Sequence, residues 1–171
     1  MPILGVSGYS TAGKTFVAQA LPEMQFGQMV SVTTRPIRPG EFRGLDYNYL
    51  SDEEFDSLIS NNELLEWDLY CGYRYGLKKS SIADTLSRNL VPCHVCTPAG
   101  IEALKAYADE IGERFIAVFI EADAATIIHR MIKRWQMMPN LCLDYLSERI
   151  ATSLCVEPKW TGEYNFTTEN S

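Results

Sequence analysis

The sequence lacks any hydrophobic run long enough to cross a membrane, and it lacks low-complexity stretches and linkers rich in Pro, Gly or Ser. Its longest apolar run covers residues 115–120, whereas a membrane-spanning helix needs about 20 apolar residues. The N-terminus does not show the charged, apolar and small-residue pattern of a secretory signal. The five cysteines follow no disulfide framework, which agrees with a reducing compartment. We therefore expect a cytoplasmic protein with no membrane partner.

Positive charge is also scarce in this chain. It has 15 Lys and Arg against 22 Asp and Glu, a formal net charge of −7 and a pI near 4.8. Proteins that bind nucleic acids or anionic membranes present clustered excess Lys and Arg, so the sequence predicts no nucleic-acid partner. A local basic site can still hold a small anionic ligand. With 171 residues, 46% of them hydrophobic, the chain suits one domain with a proper core.

Short apolar segments alternate with segments of helical character, which is typical of a parallel sheet covered by helices on both faces. Strands are predicted at residues 2–7, 29–32, 90–96, 115–120 and 164–168, and helices at residues 13–21, 80–88, 98–110, 124–135 and 143–155. An aromatic-rich insert at residues 33–79 interrupts the alternation, so we expect it to select the substrate. Within it, the acidic run that starts at residue 51 predicts the capped beginning of a helix.

The stretch GYSTAGKT at residues 8–15 fits the pattern G-x-x-x-x-G-K-[ST]. It follows a predicted strand and precedes a predicted helix, which aims backbone N–H groups and the positive helix end at one point. Lys14 is expected to reach the outer phosphates of a nucleoside triphosphate, and the Thr15 hydroxyl to bind the accompanying Mg²⁺. The alternative is a glycine turn with a surface lysine, which the flanking strand and helix disfavour.

The insert carries two arginines in a proline-stiffened loop, TTRPIRPGEFRG at residues 33–44. The guanidinium groups of Arg35 and Arg38 match the geometry of a phosphate. Tyrosine and serine hydroxyls from the same insert and its edge add donors, namely those of Tyr47, Tyr75 and Ser31. A second phosphate site, separate from the glycine-rich loop, is the natural inference. The alternative is that both arginines pair with Asp46, Glu41 or Glu54.

These residues together resemble the guanylate kinase family. The resemblance runs from about residue 3 to residue 168 and is densest in SGYSTAGKT, in SVTTRPIRPGEFRGLDYNYLSDEEF and in NELLEW followed by GYRYG. It implies an α/β fold in which a P-loop NTPase-type parallel sheet flanked by helices carries an inserted mixed α/β subdomain that binds the nucleoside monophosphate, and a lid. It also implies transfer of the γ-phosphoryl group of ATP to GMP or dGMP, with Mg²⁺ as cofactor and small-molecule nucleotides as partners.

The resemblance assigns roles residue by residue within one kinase domain. This domain consists of a core of residues 1–32 and 80–171, the monophosphate-binding insert of residues 33–79 and a lid of about residues 134–144. The acceptor-phosphate ligands fall on Ser31, Arg35, Arg38, Tyr47 and Tyr75. The ATP-binding loop falls on Ser10, Thr11, Ala12, Gly13, Lys14 and Thr15. Catalytic roles fall on Lys14, Arg35, Arg130, Arg134 and Arg149, of which the last three resemble the arginines in and beside the lid.

Base selection is where this sequence departs from the family. Glu66 is retained, and its carboxylate can accept from both N1–H and the exocyclic amino group of guanine. The family's Ser or Thr after the Tyr-Gly pair is Leu77 here, and its acidic strand end is replaced around Val95 to Thr97. A missing donor to a buried carbonyl costs roughly 1–3 kcal/mol, so weakened guanine discrimination is expected. Leu77 and Thr97 are therefore predicted to contact the base in place of the family residues.

Other interpretations remain open at the level of sequence. The acceptor is GMP or dGMP or another or modified deoxynucleoside monophosphate, and a kinase of phosphorylated sugars is a related variant that Glu66 disfavours. A non-catalytic guanylate-kinase-like binding module is the alternative from another class, although such modules usually lose the lysine retained here as Lys14. Cys93 and Cys96 flank His94, but without further ligands we interpret them as structural. Both a monomer and a homodimer are compatible with the sequence.

Overall fold

The computed structural model describes residues 1–20, 25–136, 143–156 and 164–169. Its first sheet has the strand order β2-β7-β1-β8-β9, and the paired strands run parallel. These strands are β1 (Ile3–Gly8), β2 (Phe26–Gln28), β7 (Val91–Val95), β8 (Phe115–Glu121) and β9 (Phe166–Glu169). The helices that belong with this sheet are α1 (Lys14–Ala20), α3 (Lys79–Ser87), α4 (Pro98–Glu110), α5 (Ala124–Gln136) and α6 (Leu143–Ala151), and a π-helical segment (Thr152–Val156) follows α6.

Strand β1 shows why this sheet is covered on both faces. All six of its residues are buried, and successive side chains point to opposite faces. Leu4 and Val6 pack in one core cluster with Ile127 of α5, while Ile3 packs in another with Leu104 of α4. A strand buried on both sides is the mark of a parallel sheet in an α/β protein, so the predicted fold class is confirmed.

The insert forms a second, mixed sheet with the strand order β4-β3-β6-β5. Its elements are β3 (Val32–Thr33), β4 (Asn48–Tyr49), α2 (Asp52–Ser60), β5 (Leu64–Tyr70) and β6 (Tyr73–Lys78). Strand β3 pairs with β4 in parallel, whereas β6 is antiparallel to both β3 and β5. Helix α2 begins with the predicted cap, because Ser51 and Glu54 form a reciprocal capping box. Phe55 of α2 then packs with Val32 and Leu64 in a separate small core.

A β-bulge in β5 turns a functional side chain toward the first sheet. The register with β6 shifts between Leu64 and Glu66, so an extra residue enters the strand. Leu64 and Trp67 both contact the α2 side, Leu64 in the core around Phe55 and Trp67 edge-on to the Phe55 ring at 6.2 Å. Side chains three positions apart would otherwise face opposite ways. Glu66 therefore points away from α2.

The second predicted strand is misplaced. Residues 29–32 were expected to form it, but β2 ends at Gln28 and the short β3 begins at Val32 in the other sheet. The chain crosses between the sheets at this point, with Met29 still bonded through its N–H to the Cys93 carbonyl at 2.7 Å.

Of the lid predicted at residues 134–144, residues 137–142 lie outside the described part. No helix in the described part is long and apolar enough to cross a membrane.

Candidate active site

A cavity of about 720 Å³ is lined by residues of both sheets and of the loops at the carboxyl ends of β1 and β7. That edge of an open parallel sheet is where ligands bind in α/β proteins. The predicted site residues that line the cavity are Ser10, Thr11, Gly13, Lys14, Ser31, Arg35, Arg38, Tyr47, Glu66, Tyr75, Thr97, Arg134 and Arg149. Three predicted residues do not line it, namely Ala12, Leu77 and Arg130. The side chain of Thr15 lies outside what the structure describes.

The glycine-rich loop connects β1 to α1 and turns sharply at its glycines. Gly8 has a φ of +147°, and a Cβ built on it would lie 2.1 Å from the Ile120 carbonyl oxygen, so only glycine fits there. Gly13 has a φ of +106°, where glycine is again favoured. The Lys14 ammonium donates to the carbonyls of Gly8 and Tyr9 at 2.8 and 2.7 Å. The loop thus holds a cation over its own turn, beside the cavity.

Arg35 is the most buried of the predicted charged ligands, at 4% exposure. Its backbone N–H donates to the Thr33 hydroxyl, and its Nη1 donates to the Pro36 carbonyl at 2.8 Å. Its Nη2 donates to both carboxylate oxygens of Glu41, each at 2.9 Å. The guanidinium group also lies 5.3 Å from the ring centre of Tyr47. Arg35 is therefore held in one position before any ligand is present.

Glu41 organises this part of the site. Besides Arg35, it accepts from the Arg38 backbone N–H at 2.9 Å and from the Tyr49 hydroxyl at 2.7 Å. Burial alone would raise the pKa of Glu41, but these hydrogen bonds and the charge of Arg35 outweigh burial and lower it. Burial alone would likewise lower the pKa of Arg35, but neighbouring Tyr75 and Glu41 outweigh it and raise that pKa. Both charges are thereby favoured.

Three further arginines approach the cavity, and their charges repel one another. Burial of its guanidinium group and repulsion from Arg38 and Arg149 together lower the pKa of Arg134, although the residue as a whole is exposed. Arg38 lies 3.9 Å from Glu41, near the limit of an ion pair. Tyr47 lies in the same region, and burial raises its pKa, so its phenol remains a donor. A cluster of like charges beside phenol donors favours a phosphate.

Arg149 connects the glycine-rich loop to the insert. Its Nη2 lies 3.1 Å from the Ser10 hydroxyl, and its guanidinium group lies 4.7 Å from the ring centre of Tyr70. Ser10 and Tyr70 also share a hydrogen bond of 2.8 Å between their hydroxyls. Arg130 supports the same loop from behind, because it donates to the Thr11 carbonyl at 3.3 Å rather than facing the cavity.

The other end of the cavity contains Glu66 and His94. The His94 ring is buried, and its Nε2 lies 3.4 Å from Oε1 of Glu66. Thr97 lines the cavity here and caps α4, with its hydroxyl oxygen accepting from the Gly100 N–H at 3.4 Å. Its O–H hydrogen stays available to a ligand. The carboxylate, and not a cation, dominates this end, so it suits a group that presents N–H donors.

Leu77 requires a correction. It was predicted to contact the base, but it is fully buried and packs with Ile3, Met29, Ile82 and Leu104. The residue lies on the same strand face as Tyr75, two positions earlier, yet it falls where β6 meets the core of the first sheet. Leu77 is therefore a core residue and does not line the cavity.

Sequence reasoning missed two side chains of the site, Glu41 and His94. Glu41 was considered only as a partner that would occupy the arginines, whereas it fixes Arg35 at the cavity wall. His94 was grouped with Cys93 and Cys96 as structural. Cys93 is indeed a core residue, and burial raises the pKa of its thiol to about 12. No group of three His, Cys, Asp or Glu residues in the described ranges is arranged to hold a metal ion.

Comparison with known proteins shows that the chain is similar to guanylate kinases. The family model named Guanylate kinase matches residues 2–141. A guanylate kinase of Thermobifida fusca is 44% identical over 86 residues, which cover 48% of this chain and 43% of that protein. Guanylate kinase 2, chloroplastic/mitochondrial, of Oryza sativa subsp. japonica is 31% identical over 99% of this chain and 58% of its own length. The chain thus spans about half the length of these relatives.

Among solved structures, guanylate kinase from Anaplasma phagocytophilum is similar to this protein throughout. The match has a TM-score of 0.67 and 25% sequence identity, and it covers 99% of this chain and 76% of that chain.

Proposed function

The chain belongs to the guanylate kinase family, and on this premise we propose that it is a nucleoside monophosphate kinase that transfers the γ-phosphoryl group of ATP to GMP or dGMP. One observation carries the proposal: the glycine-rich loop with Lys14 and the insert with Arg35 line the same cavity. A reaction between two phosphates needs two anion sites that face each other. A simple anion-binding protein would need only one.

We assign the donor site to the glycine-rich loop. Gly13, Lys14 and the residues before them would bind the ATP phosphates, and the Thr15 hydroxyl would bind Mg²⁺. The sharp turns at Gly8 and Gly13 and the ammonium of Lys14 fit an anion there. When bound, Mg²⁺ neutralises charge on the phosphates.

We assign the acceptor phosphate to the insert, where Ser31, Arg35, Arg38, Tyr47 and Tyr75 line the cavity together. The acceptor oxygen already carries negative charge, so the reaction needs no general base from the protein. The task of these residues is to hold the two anions in line and offset their repulsion. Arg134 and Arg149 line the same cavity and would stabilise the charge that moves.

The base would lie at the carboxylate end of the cavity. Glu66 can accept from two adjacent donors, which guanine presents through N1–H and its 2-amino group. Adenine presents a lone pair at N1, which this carboxylate would repel. The Thr97 hydroxyl, which lines the same cavity, would contact the remaining base edge. Guanine is therefore the base that this end favours.

The test is an ADP-release assay with ATP, Mg²⁺ and a panel of ribo- and deoxynucleoside monophosphates. We expect rapid turnover with GMP or dGMP. In the Lys14→Ala variant we expect kcat to fall by about 10²–10³-fold, because the charge that neutralises the transferring phosphate is lost. Lys105→Ala is the matched control, since Lys105 is exposed on α4 and does not line the cavity.

Other outcomes of this assay decide between the alternatives. A different monophosphate as the best acceptor would mean that the altered base pocket has changed the specificity. Absence of turnover with an intact fold would overturn the kinase proposal and favour a binding module. A cytoplasmic location and the choice between monomer and homodimer stay predictions from the sequence.

A further inference from the structure

His94 occupies an unusual position between two acceptors. Its Nε2 lies 3.4 Å from Oε1 of Glu66, and its Nδ1 lies 3.4 Å from the Met29 carbonyl oxygen. The side chain is 2% exposed, against 12% for Glu66, so His94 lies beneath the carboxylate and not in front of it. A buried polar ring that touches a cavity and faces a carboxylate is a candidate for controlling that carboxylate.

The direction of the hydrogen bonds follows from the ring chemistry. A neutral imidazole has one N–H donor and one lone pair, and an imidazolium has two donors. Only a ring with a proton on Nε2 can donate to Glu66, and this holds for the imidazolium and for the Nε2–H tautomer. The other tautomer would place a lone pair against the carboxylate oxygen.

The remaining neighbours of Glu66 do not fix its carboxylate in the same way. Burial and the charge of Glu66 raise the pKa of Cys96, so its thiol stays neutral and is at best a weak donor. Gly100, in the first turn of α4, lies beside the carboxylate but has no side chain to bond to it, and a Cβ built on it would be in ordinary contact with the Glu66 carboxyl carbon at 3.4 Å. Within the described residues, His94 is the side-chain hydrogen-bond partner that the structure gives Glu66.

We propose that His94 is a positioning residue for base recognition: its Nε2–H holds Oε1 of Glu66 and so aims both carboxylate oxygens at the two adjacent donors of the base. This inference rests on the proposed function, in which Glu66 binds the guanine edge. A carboxylate that accepts one bond from below loses rotational freedom before the base arrives. The two oxygens belong to one planar carboxylate, so fixing one oxygen also fixes the other, and the base would contact both.

The experiment compares three substitutions at His94. Gln places its amide nitrogen where Nε2 lies and keeps the donor to Glu66, Asn places its amide near Nδ1 and keeps only the Met29 side, and Leu keeps neither. We expect His94→Leu and His94→Asn to raise KM for GMP by about tenfold, since a hydrogen bond to a charged group is lost. His94→Gln should stay within about threefold of the wild type by the same reasoning. KM for ATP and kcat should change little in all three.

A comparison of two substrates, GMP and IMP, makes this test more specific. IMP presents N1–H but has no 2-amino group, so it should lose less affinity than GMP when His94 is replaced by Asn. Equal KM values for GMP in the Gln and Asn variants would overturn the proposal. An equal rise in KM for ATP and GMP would also overturn it, because that result indicates general loosening of the fold.

Nitrogen NMR of the histidine rings gives a readout that needs no turnover. The chain has two histidines, and His129 is exposed on α5, so a His129→Gln variant assigns the signals. We expect Nε2 of His94 to carry a proton, and its signal to shift in Glu66→Gln and on addition of GMP but not of ATP. An Nδ1–H tautomer with bare Nε2 would overturn the proposal. If the wild-type protein turned over no monophosphate, the kinase assignment would fail, while the proton on Nε2 would still decide whether His94 holds Glu66.

Discussion

Replacing Glu41 with Gln tests whether the proposed acceptor-phosphate site is built in advance by one carboxylate. Glu41 accepts four hydrogen bonds: two from Nη2 of Arg35, one from the Arg38 backbone N–H and one from the Tyr49 hydroxyl. Gln keeps the size of the side chain but removes the charge and turns one acceptor oxygen into a donor. The amide then faces the Arg35 guanidinium group with one oxygen instead of two.

The expected loss in the free energy of unfolding follows from the burial of Arg35 and Glu41. Arg35 is 4% exposed and Glu41 is 18% exposed, so solvent screens their interaction only weakly. A hydrogen bond to a charged group contributes roughly 1.5–3 kcal/mol, and removal of one partner of a buried pair costs about 3–5 kcal/mol. Because Gln retains one acceptor, we expect a loss of about 2–3 kcal/mol in the free energy of unfolding. That corresponds to a fall in Tm of about 5–10 °C for a chain of this size.

The assay is urea unfolding of the wild type, Glu41→Gln and Asp46→Asn. Asp46 is the matched control, because it lines the same cavity and its Oδ2 accepts only from the Phe42 N–H among the bonds recorded for it, a role that Asn can keep. We expect Asp46→Asn to lose less than about 1 kcal/mol. Equal losses in the two variants would refute the reasoning, since the effect would then come from removing any negative charge beside the arginines.

Two further predictions concern the same pair and the glycine-rich loop. Burial alone would raise the pKa of Glu41, but its partners lower it below the ordinary value of 4.5. The stability it provides should therefore be complete above pH 4.5 and be lost as the pH falls through the lowered pKa, so unfolding curves of the wild type and Glu41→Gln should converge in acid and stay apart at neutral pH. Gly8→Ala should cost about 2–6 kcal/mol, because its Cβ meets the Ile120 carbonyl, whereas Gly112→Ala, at a φ of +72° with nothing within 4 Å, should cost about 1–2 kcal/mol. Similar urea midpoints for the two alanine variants would contradict the steric argument.

Much of the fold was predictable because its signals are local. The apolar strands alternate with helical segments, and the cap at Ser51 marks the start of α2. The error at residues 29–32 has a physical cause. Met29 and Val32 are both buried, so they resemble a strand, but they belong to cores of different sheets. A hydrophobic side chain can be predicted to be buried, but only the tertiary packing decides in which core it lies.

The site also contains residues that could be predicted from the sequence and residues that could not. Arg35, Tyr47 and Tyr75 were predictable from residue type, and the structure brings them together in one cavity. The proposed role of His94 was not predictable, because it depends on a bulge in β5 that turns Glu66 toward β7. Leu77 was wrongly placed for a different reason: strand alternation gives its face correctly, but not that the core of the first sheet covers that face.

The two sequence interpretations of the insert arginines turn out to be compatible. Pairing with an acid was taken as an alternative to phosphate binding. Arg35 does pair with Glu41, but only through Nη2, and its Nε–H and one hydrogen of Nη1 take no part in the bonds recorded for it, so the pairing leaves donors for the proposed phosphate. Glu41 offsets the charge of one arginine only. Repulsion among Arg38, Arg134 and Arg149 still lowers the pKa of Arg134 after burial has done so. An incoming phosphate would relieve that repulsion, so the cluster is stabilised most when the anions that it must bring together are present.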